Sequence, residues 1–334
     1  MANKLKNNND YIFLCANLRA REPRLLTRER MERMCQSASF DEAAKLLIDC
    51  DYPDMSGMDD VALEYAIADH RKQIVSELAR FCPEPVMLDA FRIRYDYHNI
   101  KVLVKSHGKQ GGNERLMSSC GIVDPGRMAE CYRSENYDML PDYIRDCLRS
   151  ARELLARTGD PQRADFLVDR AYYTQLLAMT GELSDDFYQR YVRHCIDGAN
   201  LRSAVRARRI GLDKAAVESA MIPGGYVAMY SLVDASAEPS SLENLFFAGI
   251  FQKAAELGAQ AMQGGTLTAF ESACENALTR WLDGAKYIMA GPAPVLAFLD
   301  SLDSEIVAVR TVLLGKKNGM SPEAIRERLR DSYV

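Results

Sequence analysis

The residues best suited to chemistry in this 334-residue chain form three sets, each with an acid and a base five positions apart. An asparagine or an alanine stands three positions after each acid. Carboxylates pair with ammonium and guanidinium groups, and arginine adds a two-pronged geometry that suits packing junctions. The sets are Asp96, Asn99 and Lys101; Asp197, Asn200 and Arg202; and Glu305, Ala308 and Arg310. We take them as candidate structural or interface residues.

Two interpretations of these sets stay open. Five positions along an α-helix turn a side chain by about 140°, so the acid and base of one set cannot readily pair within their own helix. If three copies pack around a common axis, the acid of one copy can meet the base of the next. Otherwise each set is an exposed pair that flanks a buried seam and contributes ~0 to 1 kcal/mol.

The commoner catalytic and nucleotide-binding motifs are missing from the sequence. It contains no Walker loop, no GxGxxG after a strand pattern, no HExxH and no GxSxG. The four histidines share no column of the repeat, which favours structural or surface roles over metal binding. An enzyme would need a polar cluster in one copy alone, whereas these polar columns recur. We therefore predict no catalytic residue, no cofactor and no metal site.

The elements that position the three sets look like variants of one helix. Their bases are 101 and 108 residues apart, which indicates a repeat of roughly a hundred residues. In the third copy six apolar residues follow the 4-3-4-3-4 spacing of a packed amphipathic helix. These six are Val295, Leu299, Leu302, Ile306, Val309 and Leu313. We predict three helical units, at residues 1–110, 111–212 and 213–334.

These six apolar positions, which we call the seam, can be compared with the equivalent positions of the other two copies to test the register. All six equivalent positions of the first copy are apolar, from Val86 to Val104. Four of six are apolar in the second copy, where His194 and Gly198 weaken the middle of the seam. The first and third copies therefore form the firmer pair.

Helix signals dominate the rest of the chain. Thr27 can cap one helix, Ser39 with Glu42 resembles a capping box, and Ser321 precedes a proline at another helix start. Gly315 and Gly319 are predicted to stop the third repeat helix. No alternating apolar runs are joined by Asn-Gly or Asp-Gly turns. The predicted fold class is all-α.

Charge and composition narrow the classes of partner. The 42 basic and 47 acidic residues are mixed along the chain and give a formal net charge of −5. That balance disfavours nucleic acid and anionic membrane surfaces as partners. A basic cluster from Arg202 to Arg209 is interpreted as a solvated helix face. Nine cysteines in no regular spacing indicate reduced core thiols.

The beginning of the chain is polar and lacks an apolar signal segment, and no window approaches the roughly 18 apolar residues of a membrane span. These features predict a cytosolic protein with no direct membrane span. Any membrane connection would then pass through a partner.

Three segments resemble one known family. They are Tyr11 to Thr27, with Arg21-Glu22-Pro23-Arg24-Leu25-Leu26; Phe91 to Lys101, with Asp96-Tyr97-His98-Asn99-Ile100-Lys101; and Glu305 to Tyr333, with Gly315-Lys316-Lys317. Their order and spacing are similar to those of the C-type stalk proteins of V-type (A/V-type) ATPases and ATP synthases, whose eukaryotic counterpart is designated d. The resemblance runs from about residue 10 onward and is weakest from Gly211 to Lys286.

The resemblance implies a funnel-shaped, all-helical protein of three similar domains related by pseudo-threefold symmetry. It implies a seat on the cytoplasmic end of the membrane proteolipid ring and a cavity for the central axle subunits of the D and F type. The protein would then be a non-catalytic stalk subunit in ATP-driven ion transport or ATP synthesis, peripheral to the membrane through the rotor ring. A free-standing helical adaptor is the alternative.

Overall fold

The computed structural model describes residues 8–106 and 113–329, and within these ranges the chain forms helices and no strand. The all-α prediction is confirmed. Sixteen α-helices occur in these ranges: α1 Ile12–Arg21, α2 Arg28–Gln36, α3 Phe40–Lys45, α4 Asp60–Ala79, α5 Pro85–Lys105, α6 Pro125–Ser134, α7 Asp142–Thr158, α8 Pro161–Gly181, α9 Phe187–Arg209, α10 Lys214–Ala220, α11 Met229–Ala235, α12 Pro239–Leu245, α13 Gln252–Met262, α14 Leu267–Leu282, α15 Pro292–Lys317 and α16 Pro322–Arg326.

The chain divides into two compact units. One comprises Met1–Pro83 with Glu271–Val334, and the other comprises Glu84–Phe270. The three units predicted from the repeat, with boundaries near residues 110 and 212, stay a prediction. The first boundary, with Gly108, lies outside the described residues.

The unit that contains both chain ends is built around α15. This helix buries residues on all sides, as expected of a helix that is apolar around most of its circumference. The hydrophobic core that α15 forms also contains residues of α2, α3 and α4. Its fully buried side chains include Met34, Leu47 and Leu63. All six seam positions predicted in the third copy are 0% exposed.

The other unit contains the first two repeat helices. α5 packs against α7 and α8, and α8 also packs against α9. α9 in turn contacts α10, α11 and α13, while α12 packs against α13. Five of six seam positions are buried in each copy, Val86 and His194 being half-buried. Gly198 keeps its place in the seam because the Phe251 ring fills the space beside it.

Helix starts follow the predicted chemistry. Thr27, Ser39 and Ser321 each accept a hydrogen bond from a backbone N–H in the first turn of their helix. Of the two glycines predicted to stop α15, the second does so: the helix passes Gly315 and continues to Lys317, and Gly319 follows the C-cap Asn318 with a φ of 67°. A side chain at Gly315 would press against Ile325, so this glycine permits a close packing contact.

Candidate functional site: three buried carboxylates on the repeat helices

The first of the three carboxylates, Asp96 on α5, is fully buried. Its two oxygens accept hydrogen bonds from successive backbone amides, Ile122 N at 2.9 Å and Val123 N at 3.0 Å. Three residues further along α5, the Asn99 side chain both donates to Ser118 O and accepts from Ser118 N, at 2.9 and 2.7 Å. The helix thereby fixes the loop that follows it through polar bonds to main chain alone.

The second copy repeats this arrangement on α9. Asp197, 3% exposed, accepts hydrogen bonds from Tyr226 N at 3.1 Å and Val227 N at 3.0 Å. Asn200 donates to Ile222 O and accepts from Ile222 N, both at 2.8 Å. The second copy, which the apolar seam supported least, therefore shares the polar geometry of the first. We call each such carboxylate with its hydrogen-bond donors a carboxylate clamp.

A glycine makes the close approach possible in both of these clamps. A Cβ atom on Gly121 would overlap the Asp96 carboxylate, and one on Gly225 would overlap that of Asp197. The loops can therefore reach the helix only with glycine immediately before the first bonded amide. The sequence interpretation missed this signal, which is a Gly-x-Val triplet following each of the first two repeat helices.

The third clamp is closed by a different part of the chain. Glu305 on α15 accepts a hydrogen bond from Leu26 N at 2.5 Å and another from the Tyr52 hydroxyl at 2.8 Å. Ala308 occupies the asparagine column and cannot bond a loop as Asn99 and Asn200 do. The second donor to this carboxylate is the Tyr52 hydroxyl rather than a second backbone amide. The segment before α2 thus takes the place that the following loop has in the other two copies.

Burial governs the acidity of all three groups. Loss of hydration raises the pKa of Asp96 and Asp197 to about 6 and that of Glu305 to about 7. The donated hydrogen bonds favour the charged form and offset part of this shift. The nearby Arg92 and Arg193 guanidinium groups act in the same direction on the two aspartates.

The acids and bases do not pair as either interpretation supposed. The acids are buried rather than exposed, and their hydrogen-bond donors are backbone amides and one tyrosine hydroxyl rather than basic side chains. Lys101 binds Asp169 of α8 at 2.6 Å, and the Arg310 guanidinium binds both Glu64 oxygens of α4 at 2.7 and 2.6 Å. Arg202 lies close enough to Tyr173 to oppose the rise in the pKa of that phenol, which burial causes.

The described part of the chain contains no group of three or more His, Cys, Asp or Glu side chains placed to hold a metal ion. His70 is buried and stacks on the Tyr52 ring, and burial lowers the pKa of His70 to about 4. His107 lies outside the described residues. The nine cysteines are free thiols, seven of them buried.

The three buried acids have a structural role. Each holds a separate segment of main chain against a long helix. Residues 14–328 match the family model described as ATP synthase (C/AC39) subunit. The chain belongs to this family. As a member of the C/AC39 family it is part of an ATP synthase-type complex and has no catalytic role there.

Sequence alignments with other members of the family cover nearly the whole of this chain. The C-type protein of the V-type sodium ATPase of Enterococcus hirae is 23% identical over 328 residues, covering 97% of this chain and 99% of its own length. The corresponding protein of the A-type ATP synthase of Methanocaldococcus jannaschii is 22% identical and covers 96% of this chain and 86% of its own. That of Methanothermobacter thermautotrophicus is 23% identical, with shares of 93% and 85%.

Among the described residues, no helix combines the length and the apolar character that crossing a membrane requires.

Proposed function

We propose that this protein is the central-stalk component of a V-type or A-type rotary ATPase, where it couples the axle to the membrane proteolipid ring. The observation that carries the proposal is the family match over residues 14–328, together with C-type relatives that align over most of their length. In this role the protein lies on the cytoplasmic side and contacts axle subunits of the D and F type. Its attachment to the membrane is through the ring.

The clamps support this role in mechanical terms. A part that transmits torque must resist deformation, and each clamp joins a separate segment of chain to a long helix by two hydrogen bonds to a buried carboxylate. The funnel shape and pseudo-threefold symmetry implied by the sequence resemblance stay predictions.

Removal of the protein separates the proposed function from that of a free-standing adaptor. Without the chain, membranes should retain ATP hydrolysis by the soluble catalytic head but lose ion transport, since chemistry and torque transmission belong to different parts of the complex. Both rates should be measured on the same membranes, with the intact strain as reference. Normal transport per ATP in the deletion strain would contradict the coupling role and favour the adaptor.

Affinity purification tests the partners directly. A tagged chain, solubilised in mild detergent, should bring down the ring and the axle in fixed proportion.

Charge reversal at Lys101, Arg202 or Arg310 is expected to weaken domain packing or attachment and so to uncouple ATP hydrolysis from ion transport in part. If all three reversals leave coupling unchanged while the deletion abolishes it, these side chains have only a local structural role.

A further inference from the structure

The short connection between α1 and α2 is held at its centre by one carboxyl group. This connection, residues 22–27, consists of one turn of 3-10 helix followed by an extended stretch, and we call it the α1–α2 linker. The side chains of Leu25 and Leu26 are buried, and the Leu26 amide donates to Glu305 Oε2 of α15 at 2.5 Å. Such a linker can open locally while the helices on both sides stay folded.

The groups next to this contact on one side are uncharged at neutral pH. The Tyr52 hydroxyl donates to Glu305 Oε1 at 2.8 Å, and the Tyr52 ring stacks on that of His70 with centroids 3.9 Å apart. Burial lowers the pKa of His70 to about 4 and raises the pKa values of the Tyr52 hydroxyl and the Cys50 thiol. None of the three therefore supplies a positive charge to Glu305.

The charged groups on the neighbouring helices have other contacts. Arg71 of α4 pairs with Asp303 of α15 at 3.2 Å. Arg30 of α2 donates to Cys50 Sγ and to two carbonyl oxygens of the α1–α2 linker, at 3.4 to 3.5 Å. Its charge lowers the pKa of Glu305 less than burial raises it. Within residues 8–106 and 113–329, no basic side chain donates a hydrogen bond to Glu305.

We propose that the Glu305 carboxyl group is a pH-sensitive latch, which holds the α1–α2 linker closed while protonated and lets it open more often once ionised. An ionised carboxylate has about four lone-pair sites, and here only two donors replace water. Opening of the linker admits water and relieves the cost of a buried charge. The neutral acid avoids that cost, and its unprotonated oxygen still accepts from the Leu26 amide. The latch is a property of the chain itself and goes beyond the proposed function.

The pH range of the latch follows from two pKa values of Glu305. A hydrated glutamate has a pKa of about 4.5, whereas burial raises that of Glu305 in the closed linker to about 7. The stability of the closed linker is therefore fully present below about pH 4.5, falls as the pH rises and levels off above about 7. In the middle of this range, opening should become about tenfold more frequent for each pH unit.

Hydrogen exchange measured by mass spectrometry tests the latch on the purified full-length chain. After division by the intrinsic exchange rate, protection of a peptide containing Leu26 should fall about tenfold between roughly pH 5.5 and 7. Low concentrations of urea should not accelerate this exchange, because a local opening exposes little surface. Exchange that accelerates with urea as global unfolding does would contradict a local latch.

Three variants isolate the carboxyl group. Glu305→Gln is neutral at every pH and keeps a carbonyl oxygen for the Leu26 amide, so its protection should not change with pH. Glu29→Gln is the matched control and should behave like wild type, because Glu29 is an exposed acid in the first turn of α2 that no contact engages in the described ranges. Tyr52→Phe removes one donor to the charged carboxylate, so the pH at which protection levels off should shift upward.

Each outcome decides on the latch and leaves the proposed function intact. Wild-type protection that does not vary with pH overturns it, as does the wild-type pH dependence in Glu305→Gln. An unchanged or lower levelling pH in Tyr52→Phe also overturns it, and this shift decides the matter where Glu305→Gln is too unstable to purify. A merely structural Glu305 would lower protection in its variants equally at all pH values.

Discussion

At the scale of single residues, one task is performed by different side chains. Asp96 and Asp197 each hold two consecutive amides, whereas Glu305 holds one amide and a tyrosine hydroxyl. The three acids that align in the repeat therefore share a function. That function is to bind other segments of the chain rather than the basic residues of the repeat. A carboxylate has about four lone-pair sites and suits this task, because buried backbone N–H groups require acceptors.

The glycines beside the clamps give the first prediction. Gly121→Ala and Gly225→Ala should each destabilise the unit of residues 84–270 by about 1 to 3 kcal/mol, because an added methyl group overlaps the buried carboxylate. Urea unfolding followed by circular dichroism measures the loss. Gly249→Ala is the control, since the nearest atom to its added methyl group is at an ordinary 3.7 Å. Equal stability of all three variants would contradict the clamp geometry.

The buried acids also predict a pH dependence. The unfolded chain ionises an aspartate near pH 4, whereas burial raises the pKa of Asp96 in the folded protein to about 6. Asp96 therefore contributes stability that is fully present below about pH 4 and is lost as the pH rises through 6. The free energy of unfolding of wild type relative to Asp96→Asn should fall by about 2 to 3 kcal/mol across this window. A difference that stays constant would mean that folding leaves the pKa of Asp96 unchanged, and one that rises with pH would mean that the fold stabilises the charged carboxylate.

At the scale of elements, the repeat helices are cylinders with a continuous buried seam. α15 is the extreme case, because its seam residues and most of their neighbours are buried. A helix in this position cannot shift along its axis without moving polar groups such as Glu305 out of register with their donors. Packing and polar bonding therefore define the same register.

A charge placed in the seam should unfold the unit that contains it. Ile100→Asp and Val309→Asp both introduce an acid at a 0% exposed position, and each is expected to cost about 3 kcal/mol or more. Val61→Asp, at a 58% exposed position in the first turn of α4, is the matched control and should be neutral. Circular dichroism melting curves compare the three. An unchanged melting temperature for both seam variants would mean that the register is wrong.

At the scale of the whole molecule, the absence of a motif for phosphate binding predicts that the isolated protein does not bind Mg-ATP. Calorimetry with the purified chain should show only heats of dilution at micromolar to millimolar nucleotide. The catalytic head of the same complex serves as the positive control. Saturable binding to the isolated chain would require a site that neither its sequence nor its described side chains indicate.

Much of this molecule was predictable from sequence because its long helices carry a periodic apolar pattern. The seam of α15, the helix caps and the all-α class followed from local rules. The role of Asp96 did not, because its partners lie 26 and 27 residues away on a loop without regular structure. For Glu305 the two donors lie 279 and 253 residues away, and no local pattern connects Leu26 or Tyr52 to it. Side-chain partners across such separations depend on tertiary packing.

The closing of the third clamp by Leu26 has a consequence for biosynthesis. The clamps of α5 and α9 join residues 26 to 30 positions apart, so each can form soon after its loop leaves the ribosome. Glu305 is made 279 residues after Leu26, which at 5 to 20 residues per second is a delay of about 14 to 56 seconds. During that interval the Leu26 amide has no Glu305 carboxylate to which it can donate a hydrogen bond. The segment around Leu26 is therefore among the last parts of this chain to reach its final contacts, although it is made long before Glu305.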